Sequence, residues 1–88
     1  MQVIVKKSFN KDIEKLKDKK LAAKLKEVIG SLQNIQTITA LPNTKKIKGS
    51  INAYRIRIGD FRLGFFLNEN TIELTVFVHR KDIYKIFP

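Results

Sequence analysis

The chain has no cysteine, no tryptophan and a single histidine, His79. Without cysteine there can be no disulfide framework and no thiolate nucleophile. One imidazole and no thiol leave too few ligands for a zinc site, so no metal and no cofactor are expected. Apolar runs stop after a few residues, far short of the roughly 20 needed to span a bilayer. The opening stretch MQVIVKKSFNKDIEKL shows no signal-peptide apolar region, and a soluble cytoplasmic protein is expected. Acidic residues are also scarce. Eight Asp and Glu face eighteen Lys and Arg, a net charge of +10 on 88 residues. That imbalance selects for an anionic partner: nucleic acid, an acidic protein or an anionic surface.

What is present argues for one folded unit over residues 1–88. The apolar fraction, 43%, excludes a disordered chain. No repeat or low-complexity tract suggests a second domain. QVIVK at 2–6 reads as a strand. Ser8 or Asn10 can cap the helix that follows, whose apolar face is Phe9, Ile13 and Leu16. Leu21, Leu25, Val28, Ile29 and Leu32 form the stripe of a second helix from Lys19 to about Gln36, with Gly30 expected to end or bend it. Residues 37–50 read as a basic connection carrying Lys45, Lys46 and Lys48. Three strands follow, at 51–58, 61–67 and 71–78, separated by Gly59-Asp60 and Asn68-Glu69-Asn70. The expected fold is α+β. An N-terminal strand and a helical hairpin precede a three-stranded antiparallel meander, with the helices packed on one face of the sheet.

The hairpin AYRIRIGDFRLGFF then poses a question of charge. Alternation puts Tyr54, Ile56 and Ile58 on one face with Phe61, Leu63 and Phe65. Arg55, Arg57, Arg62 and Gly64 fall on the other. With Gly59 and Asp60 as the two loop residues, Arg57 opposes Arg62, and like charges directly opposed across strands are destabilising. A bound phosphate would reverse the sign of that interaction, because guanidinium groups grip phosphate in a bidentate way. If alternation runs unbroken through the third strand, Phe77 pairs with Arg62 and His79 lies diagonal to it. Gly64 then leaves a gap for a ligand. Phe66, Phe77, His79, Arg80 and Tyr84 would complete a cationic face suited to an RNA phosphate and a neighbouring base.

The order of elements, the run KKIKGSINAYRIRIGDFRLGFF and the ending VFVHRKDIYKIF resemble the RelE/ParE superfamily of bacterial toxins over nearly the whole chain. The resemblance implies a RelE-like toxin of a type II toxin–antitoxin pair. It implies a metal-independent endoribonuclease that cuts messenger RNA in the ribosomal A site, and a cognate acidic antitoxin as partner. It further implies Arg55, Arg57, Arg62, Arg80 and Tyr84 as catalytic residues. Lys45, Lys46, Lys48, Phe77 and Lys81 are expected as RNA contacts from the basic and aromatic surface itself. Some relatives carry lysine where this chain has Arg55 and Arg57. Arginine does not readily release its proton, so His79 is the expected acid or base. A gyrase inhibitor of the same fold, or an attenuated antitoxin-binding homologue, is the alternative function. The filled ending His79, Arg80 and Tyr84 favours the nuclease.

Overall fold

A computed structural model describes the whole chain, Met1 to Pro88. The first strand, β1 (Gln2–Val5), leads into two helices, α1 (Lys7–Glu14) and α2 (Lys19–Asn34). A single 3-10 turn at Ile38–Ala40 precedes β2 (Thr44–Lys46), β3 (Ala53–Ile58), β4 (Phe61–Asn68) and β5 (Thr71–His79), and the chain closes with a four-residue turn of helix, α3 (Ile83–Ile86). The sheet has five strands in the order β1-β5-β4-β3-β2. β1 lies parallel to β5, and the other neighbours are antiparallel. The α+β class, the helical hairpin and the meander are as expected. The N-terminal strand takes one edge of the sheet, and the basic connection adds a strand that was not expected at the other edge, pairing briefly with β3 through Thr44, Lys45 and Lys46.

The helices form where the apolar stripe meets the sheet. Phe9 of α1 and Leu25 and Leu32 of α2 are buried against Ile56, Leu63, Phe65, Ile72 and Leu74. Capping differs from the expectation. Asp18 accepts from the backbone N–H of Lys20 and Leu21, at 3.0 and 3.1 Å, and so starts α2. Ser8 caps nothing; its hydroxyl donates to the carbonyl of Thr75 at 2.6 Å. Asp12, one turn further along α1, accepts from the N–H of Phe77 at 2.9 Å. β1 stops pairing at Leu74, so α1 supplies by side chain the partners that β5 would otherwise lack along its edge. α2 continues through Gly30 to Asn34 without ending there.

One irregularity departs from the simple alternation. Gly64 pairs with Val76 but Phe65 pairs with Leu74, so Thr75 is an extra residue and β5 is bulged. Beyond the bulge the faces exchange. Phe77 turns to the helices and is 2% exposed, while Val76 and Val78 turn to the opposite face. There they join Ile47, Ala53, Phe66, Ile83 and Phe87 in a second, smaller core. The α1–α2 hairpin thus covers one face and the C-terminal turn covers part of the other.

Two glycines test this packing in opposite directions. A Cβ on Gly30 would meet nothing within 4 Å, so Gly30→Ala should stabilise by about 0.5–1 kcal/mol through the lower entropy of the unfolded chain. A Cβ on Gly64 would lie 2.7 Å from Val76 Cγ2 and 2.9 Å from Phe87 Cδ2. Gly64→Ala should destabilise by about 1–3 kcal/mol. Urea unfolding of both variants measures the two shifts, and equal effects would contradict the packing described.

Candidate anion-binding site

The face opposite the helical hairpin carries the arginines in the expected register. Arg57 is directly opposed to Arg62, and Arg55 to Gly64. Lys45 of β2 pairs with Arg55 and extends the row. Arg80 follows Val76 and Val78 in alternation, and its N–H donates to the carbonyl of Asp60 at 2.8 Å, which seats it at the β3–β4 turn. Arg62 is held at the same turn, its Nη1 donating to the carbonyls of Gly59 and Phe61 at 3.0 and 2.9 Å. Tyr84, on α3, is exposed. It is carried by a turn anchored through the buried Ile83 and Phe87.

No carboxylate meets this cluster. The one ion pair in the structure joins Lys6 to Glu73 at 3.8 Å, away from the arginines. The guanidinium of Arg62 is held below its ordinary pKa, first by burial and then by the charges of Arg55, Arg57 and Arg80, with Tyr84 acting weakly in the other direction. The like charges of Arg55, Arg57 and Arg80 thus converge on Arg62. Arg55 and Arg57 border an open cleft of about 360 Å³ lined by Asn43, Thr44 and Lys45, with no apolar residue in its walls. The Nε of Arg55 is buried without a hydrogen-bond partner.

The bulge in β5 corrects three expectations. Phe77 does not face Arg62. It pairs with Leu63, sits in the main core and packs on Phe61 at 5.2 Å between ring centres, so it cannot stack on a base. His79 pairs with Phe61 and lies on the helix face, its ring edge-on to Phe61 at 5.7 Å. Its Nδ1 accepts from the N–H of Lys81 at 3.1 Å. With Asp12, Leu16 and Asp82 it borders a cavity of about 300 Å³ on the far side of the sheet from Arg62. The gap at Gly64 is also filled, because Phe87 occupies it and packs, its ring tilted by 55°, against Phe66 at 5.0 Å between ring centres.

The structure thus brings together Arg55, Arg57, Arg62, Arg80 and Tyr84, with Lys45 at the rim. Lys46 pairs with Tyr54 and so takes the helix face of the sheet. Lys48 and Lys81 are exposed and do not line the cleft. Asn43 was not singled out by the sequence reading. Its signal was the Pro42-Asn43 dipeptide, a turn former in which asparagine tolerates left-handed backbone, and its φ is indeed +64°.

No protein-family profile matches the chain. The toxin RelE3 of Methanocaldococcus jannaschii is 38% identical over an alignment of 89 positions that covers the full length of both chains. The toxin fold also superposes on a crystal structure of a RelB–RelE antitoxin–toxin complex from Methanococcus jannaschii. That match has a TM-score of 0.82 and 35% identity, and covers 97% of this chain and 99% of the other. The RelBE2 toxin–antitoxin complex of Mycobacterium tuberculosis shares the fold at a TM-score of 0.69 and 22% identity, over 90% of this chain and 96% of the other.

Two measurements follow from the site's geometry. Uncompensated arginines should make the fold responsive to multivalent anions beyond ionic strength. At ten times its dissociation constant, one bound phosphate or sulfate adds about 1.4 kcal/mol, a rise in Tm of roughly 6–11 °C for a domain of this size. Sodium chloride at matched ionic strength should not reproduce that rise, and Arg62→Ala should remove most of it. His79→Gln, on the opposite face, should leave the anion response intact. Loss of the response in His79→Gln would place the imidazole in the site after all.

Proposed function

The chain belongs to the RelE family of toxins, and we propose that it is a metal-independent endoribonuclease that cleaves messenger RNA on the ribosome. The observation that carries the reading is the group of four arginines, Arg55, Arg57, Arg62 and Arg80, gathered on one face with no carboxylate among them. A toxin that worked only by covering a partner surface would not need cationic groups aimed at one point against their own repulsion.

In the proposed reaction the ribose 2′-oxygen forms a bond to the adjacent phosphorus, and the bond from phosphorus to the 5′-oxygen breaks. The products are a 2′,3′-cyclic phosphate and a free 5′-hydroxyl. The 2′-hydroxyl loses a proton and the departing 5′-oxygen gains one. Negative charge builds on the non-bridging oxygens, and Arg62 is the donor for it, with Arg80 beside it at the same turn. Arg55 and Arg57 hold the substrate phosphate, and Lys45 extends the track along the backbone. Tyr84, exposed on α3, stacks on or orients a neighbouring base. With His79 on the other face, the proton-bearing groups at the site are the guanidiniums, the Tyr84 hydroxyl and the Lys45 ammonium. Rate enhancement then rests on electrostatic stabilisation and orientation, with Tyr84 the candidate for proton transfer.

The partner that restrains such a protein is an acidic antitoxin. An excess of ten positive charges gives a polyanionic protein a strong on-rate and a salt-dependent affinity. A carboxylate placed among the arginines would supply the counter-charge that the free chain lacks.

Arg62→Ala should abolish growth inhibition and lower RNA cleavage by about 10²–10³-fold, the usual loss when one transition-state donor is removed. The fold should survive. The variant gives up two bonds to turn carbonyls but also a like-charge contact, and the net change should stay within about 1 kcal/mol. Induced expression with mapping of RNA 5′ ends, beside a gyrase supercoiling assay, tests the reading. New 5′ ends within coding sequence that vanish in Arg62→Ala support it. Inhibited supercoiling with no new ends would assign the gyrase function instead.

A further inference from the structure

Asn43 touches both arginines of β3. Its carbonyl oxygen accepts from Arg55 Nη1 at 3.1 Å and from the backbone N–H of Arg57 at 3.0 Å. Its side-chain Oδ1 accepts from Arg57 Nη2 at 3.3 Å. The residue sits in left-handed backbone, φ +64°, just ahead of β2, and this turn is what directs both oxygens toward β3. No other hydrogen bond fixes the guanidinium of either arginine.

The chemical nature of this partner matters. Arg55 and Arg57 lie on one strand face with Arg62, to which Arg57 is directly opposed, and their like charges act on Arg62 across the row. Long side chains under mutual repulsion would splay into solvent and lose their alignment. A carboxylate in place of Asn43 would hold them, but it would also neutralise them and compete with an incoming phosphate. A neutral amide and a carbonyl hold the guanidiniums in place and leave the full positive charge available.

We propose that Asn43 is a positioning residue, a neutral clamp that preorganises Arg55 and Arg57 for the phosphate of the substrate. The proposal rests on the reading of this face as an RNA phosphate site. Asn43 touches no reacting atom; it acts through the arginines.

The test compares Asn43→Asp and Asn43→Gly with the parental chain and with Arg62→Ala. Glycine keeps the left-handed turn and the carbonyl but loses Oδ1. Aspartate is nearly isosteric and keeps every acceptor, so a merely structural residue would tolerate it. The first readout is the shift of arginine side-chain Nε–H signals in NMR on titration with inorganic phosphate. The second is single-turnover cleavage of messenger RNA on purified ribosomes. Asn43→Asp should retain the parental Tm yet weaken phosphate binding by about tenfold or more, because a new fixed negative charge now occupies the site. Cleavage should fall in step. Asn43→Gly should weaken phosphate binding by a few-fold and broaden the Arg57 signal, because one of the two fixed ends is free. Parental binding and cleavage in Asn43→Asp, with Arg62→Ala impaired in both, would overturn the clamp and leave the phosphate site standing. A parental chain that shows neither phosphate shifts nor cleavage would instead overturn the site reading, and the clamp with it. Phosphate shifts that respond to Asn43 without any cleavage would support the clamp and refute only the nuclease.

Discussion

One inserted residue in β5 governs how the two faces of this sheet are used. Up to Leu74 the strand presents its apolar set to the helices, and after Thr75 the sides exchange. Phe77 thereby joins the main core, and Val76 and Val78 become a floor for the C-terminal turn. Arg80 is brought into phase with that floor, at the turn where Arg62 is held. Without the extra residue His79 would face the arginines and Arg80 would face the helices. The bulge therefore chooses which cation completes the cluster, and it chooses a permanently charged group over a titratable one. Bulges are well suited to re-aiming side chains near functional surfaces.

Beside the bulge, β5 also has an edge that needs protection. β1 leaves β5 at Leu74 as the chain turns into α1. Ser8 and Asp12 then meet the backbone of Thr75 and Phe77. Their spacing of one helical turn matches the two strand residues that need partners. The apolar stripe of α1 fixes its orientation on the sheet, and its polar residues at the rim complete the hydrogen bonding. Local sequence thus serves two requirements at once, burial of Phe9 and satisfaction of backbone groups 65 and 67 residues further along the chain.

Much of this was readable in the sequence. The Gly59-Asp60 turn set the β3–β4 register, including Arg57 opposite Arg62 and Arg55 opposite Gly64, because a two-residue loop leaves no freedom. The helical hairpin followed from a three-and-four spacing that strands cannot use. The bulge was not readable. TIELTVFV is built of good strand formers, and from Val76 to Val78 both faces are apolar, so a shift in alternation leaves no mark on the pattern. β2 was hidden for a different reason. Three residues, two of them lysines, look like a loop, yet lysine is an ordinary choice for an exposed edge strand. The cluster of arginines was legible because it violates a folding preference. The role of Asn43 was not, because a hydrogen bond across 12 or 14 residues of sequence leaves no local signature.

The arginine face and the second core are coupled through Gly64. Its missing side chain admits the ring of Phe87, and Phe87 with Ile83 docks a helical turn too short to be stable alone. That turn carries Tyr84 and closes the segment that begins at Arg80. A side chain at position 64 would meet the ring of Phe87, and displacing that ring would move Tyr84 with it. The arginines on β3 and β4 are set by sheet register and would remain. The site is thus assembled from two parts of unequal strength. A rigid row of guanidiniums is fixed by strand pairing, and a weaker C-terminal element rests on a small core of five buried residues. Segments with so little buried surface open at lower free energy than the sheet they rest on. In the proposed reading phosphate binding and base contact therefore rest on different supports: the first on the arginines of β3 and β4, the second on a turn held by that small core.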